Sequence, residues 1–260
     1  MLLAVNVGNS QTHIGVFDRA ELAHEWRAFT DPRRTPDELA LLFAHFLDLA
    51  DLSFSRQITG VVLSSVVPRA TTGLREMTVK YFGFAPVVVE PKTKSGIDVT
   101  AYTTILGADR LANAVGAHAR WPDEHVVVVD VGTAITVDAV SSDGKFLGGA
   151  IAPGVDAAAT GLYSSTALIA PVELRPPVAA LGTSTSRGVE AGIVYGLAAL
   201  TDGLVERIVD EVGGRAHVVA TGGAAGMVVP HCRRVDAVDP MLTLNGLRLI
   251  YDRNAGRGDG

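Results

Sequence analysis

Two stretches of the chain share one pattern of apolar and polar positions, and the clearer of them lies at mid-chain. Four consecutive valines at 126–129 lead into Asp130, a turn follows at Gly132 and Thr133, and a second β-branched run ends near Val140. Short apolar runs that are rich in β-branched residues are typical of buried strands. The pattern therefore predicts a strand–turn–strand unit in which Asp130 lies where a buried strand ends.

The turn of this unit suggests its chemistry. Free backbone N–H groups in a glycine-containing turn can bind an anion, and a carboxylate beside them can hold a cation. An ordinary β-hairpin with an aspartate near its turn would show the same pattern. This stretch alone therefore leaves both interpretations open.

The same pattern occurs at the start of the chain. In order, it consists of an apolar run at 2–5, the polar turn residues Asn6, Gly8, Asn9 and Ser10, and a second apolar run at 12–17. Asn6 takes the place that Asp130 has in the other copy. Because the two copies begin about half a chain apart, we predict a duplicated α/β protein with domains at 1–118 and 119–260.

The remaining periodicity predicts alternating helices and strands. A capping-box pattern at Thr35-Pro36-Asp37-Glu38 marks the start of the first helix. Further helices are predicted at 72–82, 111–120, 155–166, 186–212 and 242–251, and strands at 58–63, 86–90, 172–174 and 216–220. The segment at 91–104 is polar and loop-like, and a turn at 141–144 leads to a further strand. The segment at 148–154 is too rich in glycine and proline for a long element, and the tail at 255–260 is expected to fray.

Composition excludes several classes of partner. The 260 residues carry a net charge of −6 without a basic block, which argues against binding to nucleic acid or to a membrane surface. A single cysteine, Cys232, permits no intrachain disulfide, and the N-terminus lacks the features of a signal peptide. No apolar stretch reads as a transmembrane helix. We therefore expect a cytoplasmic protein.

Four elements are candidates for a binding site. Asn6, Asp109 and Asp130 lie where strands or loops meet turns, and Gly222-Gly223 follows a predicted strand, where bare backbone would let a flat group lie against it. Each has an ordinary structural alternative: a helix N-cap for Asp109, a surface ion pair for its neighbour Arg110 and a tight turn for the glycines. The GxxxxGK[ST] and GxGxxG patterns are absent, so a nucleotide would bind by another device.

Taken together and in order, these segments resemble one known family. They are 7–10 (VGNS), 64–68 (SSVVP), 107–115 (GADRLANAV), 130–134 (DVGTA), 148–154 (GGAIAPG), 166–167 (TA), 172–177 (VELRPP), 221–223 (TGG) and 244–247 (LNGL). The set covers nearly the whole chain and is similar to the type III pantothenate kinases of the actin-like ATPase superfamily.

The resemblance implies two ribonuclease-H-like domains with a central nucleotide cleft, and a homodimer that shares its pantothenate pocket. It implies transfer of the γ-phosphoryl group of ATP to pantothenate, the first step towards coenzyme A. Magnesium and a monovalent cation, potassium or ammonium, are the ions it implies. Phosphoryl transfer needs mainly positioning and charge neutralisation, which turns, a metal ion and one carboxylate can supply.

The resemblance also implies roles for individual residues. Asp109 would be the catalytic base and Asp130 the metal ligand. ATP and its phosphates would be bound by Asn6, Gly8, Asn9, Ser10, Gly132, Thr133, Gly222 and Gly223. Pantothenate would be bound by Gly107, Arg110, Tyr102 and Thr185, the last of these from the partner subunit.

Two departures from the family pattern affect this reading. The family has aspartate at position 6, where this chain has Asn6, and a hard cation prefers carboxylate oxygens, so we expect a reaction slower by orders of magnitude. The segment 98–106 lacks the family's Asn-Pro pair, which leaves the assignment of Tyr102 open. These departures leave two alternatives: a kinase of the same fold for another small hydroxyl compound, and a weakly catalytic regulatory paralogue.

Overall fold

The computed structural model describes residues 1–54 and 56–255, and it groups them into two compact units. The first unit takes Met1–Ile97, Thr103–Gly116 and the chain from Leu242 onward, and the second takes Asp98–Tyr102 and Ala117–Met241. The division at 118/119 stays a prediction, and the tail expected at 255–260 lies, beyond Ala255, outside the described residues.

Each unit is built on a five-stranded sheet. The strands are β1 (Leu2–Val7), β2 (Gln11–Asp18), β3 (Glu21–Phe29), β4 (Gly60–Ser65), β5 (Val87–Val88), β6 (Val126–Val131), β7 (Ala134–Val140), β8 (Phe146–Pro153), β9 (His217–Thr221) and β10 (Ala237–Val238). Their orders are β3-β2-β1-β4-β5 and, in the second sheet, β10-β9-β6-β7-β8. In each sheet the first three strands in chain order pair antiparallel, and the last two strands in chain order join the sheet in parallel. This repeated topology confirms the predicted duplication.

Seven α-helices accompany the sheets in the described part of the chain. They are α1 (Pro36–Asp48), α2 (Pro68–Phe82), α3 (Ala108–Arg120), α4 (Val155–Ser165), α5 (Thr185–Glu211), α6 (Ala225–Val228) and α7 (Leu242–Ala255). The capping box of α1 is confirmed, because the Glu38 amide donates to the Thr35 side chain and the Thr35 amide donates to Glu38. α2 begins four residues earlier than predicted, with Pro68 at its first position after the extended Val67.

Two sequence-based predictions were wrong. β8 confirms the further strand expected after the turn at 141–144, but the segment 148–154 was expected to hold no long element, and all but its last residue belong to β8. Gly149 is needed there because a β-carbon at this position would come within 2.2 Å of Oδ1 of Asp138 on the neighbouring strand. The short strand expected at 172–174 does not form, and the backbone of Val172 pairs instead with the Tyr163 hydroxyl.

Different helices pack on the two faces of the first sheet. Leu3, Val5 and Ile14 lie in a core that also contains residues of α1 and α2. Because side chains alternate along a strand, the other residues of β1, including Asn6, point to the opposite face. α7 packs on that face, with Leu244 against Gly15 of β2 and Tyr251 against Gly60 of β4.

The core of the second unit contains the long helix α5. Leu197, Ala198 and Val205 of this helix pack with valines of β6 and β7. Among the described residues, α5 is the one helix long and apolar enough to cross a membrane by length and composition. A core helix of a soluble protein meets the same two criteria, and these buried contacts account for the apolar residues of α5.

Candidate active site

The turn between β1 and β2 contains the candidate residues at the start of the first unit. Gly8 closes the turn by donating its amide hydrogen to the carbonyl of Gln11, with 3.0 Å between N and O. Asn9 and Ser10 are exposed at the tip, and the Ser10 carbonyl accepts from the Thr30 amide at 3.0 Å. A β-carbon on Gly8 would come within 3.1 Å of the Gln11 carbonyl oxygen, so the turn is tight. The four predicted residues of this hairpin therefore lie together.

Asn6 lies one step below this turn and is partly buried. Its strand neighbours in register are Ser64 on β4 and His13 on β2. The side-chain oxygens of Asn6 and Ser64 are both buried and have no hydrogen-bond partner among the described residues. A buried acceptor without a partner is costly, so the Asn6 oxygen fits a position next to a bound water or a hydrated cation.

His13 is a buried titratable group beside Asn6 that the sequence reading did not select. Its ring is held by Glu25 of β3, with 2.7 Å between Nε2 and the carboxylate oxygen. Burial lowers the pKa of His13 below its usual value, an effect that the hydrogen bond to Glu25 opposes. The imidazole is therefore biased towards its neutral form.

Asp109 and Arg110 open α3 in the first unit. The amide of Leu111 donates to the carbonyl of Gly107, so Gly107 occupies the N-cap position and Asp109 lies inside the first turn. The Asp109 carboxylate accepts from the amide of Arg110 at 2.8 Å. Arg110 is 8% exposed, which rules out the surface ion pair considered as its alternative. The N-cap alternative for Asp109 does not hold either.

The turn between β6 and β7 contains the corresponding candidate residues of the second unit. Gly132 donates its amide hydrogen to the Ala134 carbonyl at 3.0 Å, and Thr133 is exposed at the tip. The start of α4 lies against this turn, since the Gly154 amide donates to the Thr133 carbonyl at 3.2 Å. A β-carbon on Gly154 would come within 2.2 Å of the Gly132 carbonyl oxygen. Only bare backbone allows these two segments to approach so closely.

Gly222 lies directly against Asp130. The register pairs Asp130 with Thr221 of β9, and the next residue, Gly222, has a positive φ of 102°. A β-carbon there would come within 2.5 Å of both Oδ1 of Asp130 and the Val131 carbonyl oxygen. Glycine is therefore required here by close packing against Asp130 and not only by the turn. The second unit thus brings together Asp130, Gly132, Thr133 and the start of the Gly222-Gly223 pair.

Tyr102 and Thr185 lie in other parts of the second unit. Tyr102 contacts the ring of Phe146 edge-on, with 5.3 Å between ring centroids. Its segment is fixed to the second unit because Asp98 exchanges backbone hydrogen bonds with Gly144 and Phe146. Thr185 is exposed as the first residue of α5, after the capping residue Ser184.

The donor atoms fit a hard cation bound mainly through ATP. Among the described residues no cluster of three or more His, Cys, Asp or Glu side chains forms a metal cage. Asp130 offers carboxylate oxygens and Asn6 an orphaned amide oxygen. Magnesium is often held by one or two protein oxygens, with phosphates and water completing its shell. In each unit such a sparse oxygen donor would suit a cation whose other ligands are phosphate and water.

Comparisons with known proteins identify the family of the chain. Residues 2–207 match the sequence model described as "Type III pantothenate kinase". A type III pantothenate kinase of Frankia alni is 43% identical over 98% of this chain and 100% of its own length. One of Moorella thermoacetica is 42% identical with the same coverage of both chains.

A solved structure gives the fold independently. The inorganic polyphosphate/ATP-glucomannokinase from Arthrobacter sp. strain KM superposes with a TM-score of 0.52 at 16% identity, covering 98% of each chain. At this identity the likeness concerns the fold alone. It agrees with the duplicated, actin-like ATPase architecture seen in the two sheets.

Proposed function

Because the chain belongs to the type III pantothenate kinase family, we propose specific roles in that reaction for the residues of the two turns and of α3. The chain is an ATP-dependent kinase that phosphorylates pantothenate in the first step of coenzyme A biosynthesis. The sequence identity of 43% to one of these relatives, over the full length of that relative, carries this conclusion. It also disfavours another hydroxyl substrate or a purely regulatory role.

Asp109 is the catalytic base in this proposal. It accepts the proton of the primary hydroxyl of pantothenate while that oxygen attacks the γ-phosphorus of ATP. The bond between the γ-phosphorus and the bridging oxygen breaks, and ADP leaves with the electron pair. The first-turn position of Asp109 supports this role, because it places a carboxylate at the start of a helix, beside the predicted pantothenate-binding residues Gly107 and Arg110.

The two turns bind ATP. Asn9, Ser10 and Thr133 at the tips of the turns contact its phosphates, Gly8 and Gly132 close the turns that present these residues, and Gly222-Gly223 support the adenosine. Asp130 holds the magnesium ion, which when bound offsets charge on the transferring phosphoryl group. The exposure of Asn9, Ser10 and Thr133 supports this assignment, because the tips of both turns are accessible to a ligand.

Arg110, Gly107, Tyr102 and Thr185 bind pantothenate. A buried guanidinium is permanently charged, and it suits the pantothenate carboxylate because its N–H groups match a carboxylate in two parallel hydrogen bonds. Thr185 acts from the partner subunit of a homodimer. Its exposure at the start of α5 supports contact with another chain.

The surface around α5 supports a homodimer. A β-carbon on Gly188, Gly192 or Gly196 would meet nothing within 4 Å, so this side of the helix is open to a close backbone approach. The preceding segment exposes three large apolar side chains, Leu168, Val178 and Leu181, each at 89% or more. Sedimentation of the Gly192→Leu variant tests the interface, and a shift from dimer to monomer is expected.

A monovalent cation, potassium or ammonium, and a cytoplasmic location complete the proposal. Both rest on the family resemblance. Turnover measured with sodium in place of potassium tests the first, and a fall to background is expected.

Pantothenate-dependent ADP release tests the proposed chemistry. With magnesium, ATP and potassium present, Asp109→Asn should lower kcat by about 1000-fold, within the range for loss of a general base. Asp37→Asn is the matched control, because Asp37 is likewise the second residue of its helix and is exposed on α1. Equal turnover in Asp109→Asn and Asp37→Asn would remove Asp109 from the reaction.

A further inference from the structure

A row of polar side chains crosses the first sheet immediately below the β1–β2 turn. The strand register aligns Ser64 of β4 with Asn6 of β1, Asn6 with His13 of β2, and His13 with Arg27 of β3. Residues in register on neighbouring strands point to the same face, so all four side chains share the face on which α7 packs. The row beneath it consists of Val62, Ala4, Gly15 and Glu25, and only its β3 member, Glu25, is polar. On β1, β2 and β4 the polar row is therefore confined to the end of the sheet that carries the turn.

Asn6 has an acceptor that the protein leaves unsatisfied. Its Oδ1 atom is buried without a partner among the described residues. An amide has two ends of nearly equal size and opposite character, and only the oxygen can face a cation or accept from a bound water. Whichever neighbour fixes the amide therefore decides whether Asn6 serves a magnesium–ATP complex.

His13 is the neighbour placed to fix it. The two residues are direct partners across an antiparallel pair, where opposite β-carbons lie about 5 Å apart. His13 is 7% exposed, and its Nε2 lies 2.7 Å from the Glu25 carboxylate. An ionised carboxylate only accepts, so Nε2 carries the hydrogen and Nδ1 of a neutral ring is left as an acceptor.

We propose that His13, held by Glu25, is a positioning residue that draws the amide nitrogen of Asn6 towards its Nδ1 and so directs the Asn6 oxygen to the ATP site. This inference rests on the proposed binding of ATP at the first turn. An asparagine held in one orientation keeps an oxygen at the position where the second hairpin has the carboxylate of Asp130. A carboxylate has two equivalent oxygens and needs no such orientation, which gives the inference a distinctive test.

Calorimetry with the non-hydrolysable analogue AMPPNP and magnesium is the central experiment. His13→Leu should weaken binding about fivefold in the natural background, from the loss of one orienting hydrogen bond. In the Asn6→Asp background, the same change should cost less than about twofold, because the carboxylate needs no orientation. His24→Gln is the control, since His24 lies on the opposite face of the sheet and stacks on Trp26.

Nitrogen-15 NMR of the imidazole rings provides a readout that does not depend on binding. The ring signals of His13, assigned by their loss in His13→Gln, should show hydrogen on Nε2 and none on Nδ1, and Glu25→Gln should weaken this preference. A proton fixed on Nδ1 of His13 overturns the inference, and so does an equal effect of His13→Leu in both backgrounds. Absence of AMPPNP binding in both the natural chain and Asn6→Asp would instead count against the proposed ATP site, while the NMR result would still decide the tautomer.

Discussion

The two hairpins, β1–β2 and β6–β7, have the same place in the two sheets and different chemistry at the same point. In the second, Asp130 is flanked in register by Thr136 and Thr221. In the first, Asn6 is flanked by His13 and Ser64. One hairpin thus presents a carboxylate between hydroxyls, and the other presents an amide beside an imidazole.

With this difference, the two duplicated hairpins would contribute unequally to the proposed reaction. Both central strands have a polar residue one position before their last residue and then enter a glycine turn. Only the second hairpin has the carboxylate that a hard cation prefers. In the proposed reaction Asp130 therefore holds the cation without a second carboxylate at position 6.

Asp130→Asn is expected to have the largest effect. It makes the two hairpins alike by removing the remaining carboxylate, and we expect kcat/KM to fall by about 1000-fold through lost charge stabilisation. Steady-state ADP release measures it. Asp143→Asn is the control, because Asp143 lies in the exposed turn of the same sheet and pairs with Lys145. If Asp130→Asn kept a tenth of the activity, the cation would have to be held elsewhere.

Gly222→Ala should rank second. A β-carbon would press on Asp130 and the Val131 carbonyl at a residue whose φ is positive, so we expect a loss of about 3 kcal/mol in the free energy of unfolding. Chemical denaturation measures it. Gly226→Ala in α6 is the matched control, since a β-carbon there meets nothing within 4 Å. Equal stability of the two variants would show that Asp130 can move away at little cost.

Asn6→Asp tests the comparison by giving the first hairpin the carboxylate that the second already has. A second carboxylate should raise turnover by about 10- to 100-fold, because it restores a charged oxygen ligand for the cation. The pantothenate-dependent rate at several magnesium concentrations measures it, with a lower magnesium requirement expected. Unchanged turnover would mean that the first hairpin contributes through its backbone alone.

Thr35→Ala is expected to have the smallest effect and to leave the comparison intact. It removes the capping box of α1 and should lower the free energy of unfolding by about 1 kcal/mol. Thermal unfolding and kcat are measured together. A change in kcat at a temperature where the protein remains folded would show that turnover depends on the stability of the first unit.

Much of the candidate site was readable from the chain because it is local. The turns at Gly8–Ser10 and Gly132–Thr133, the start of α3 and the long α5 were predicted from patterns of a few residues, and the structure has them within a few positions. His13 was also within reach, because a hairpin that turns at 8–10 pairs residue 6 with residue 13. It was missed since it interrupts an apolar run and resembles an ordinary strand residue.

The failures have physical causes at a distance along the chain. The glycines of 148–154 argued against a long element, yet Gly149 is required by Asp138 on the neighbouring strand and lies within β8. The strand expected at 172–174 had suitable residues but found the Tyr163 hydroxyl instead of a neighbouring strand. Propensity does not reveal which partner a backbone segment will meet.

The sequence by itself determined the duplication, the two glycine turns, and the asymmetry between Asn6 and Asp130, because each of these is a local pattern that recurs. Tertiary structure decided what surrounds them. It buried Arg110, pressed Gly222 onto Asp130, and placed His13 and Ser64 beside Asn6. Those neighbours come from strands that pair across the sheet, and pairing is set by packing of the whole unit rather than by any short stretch of chain.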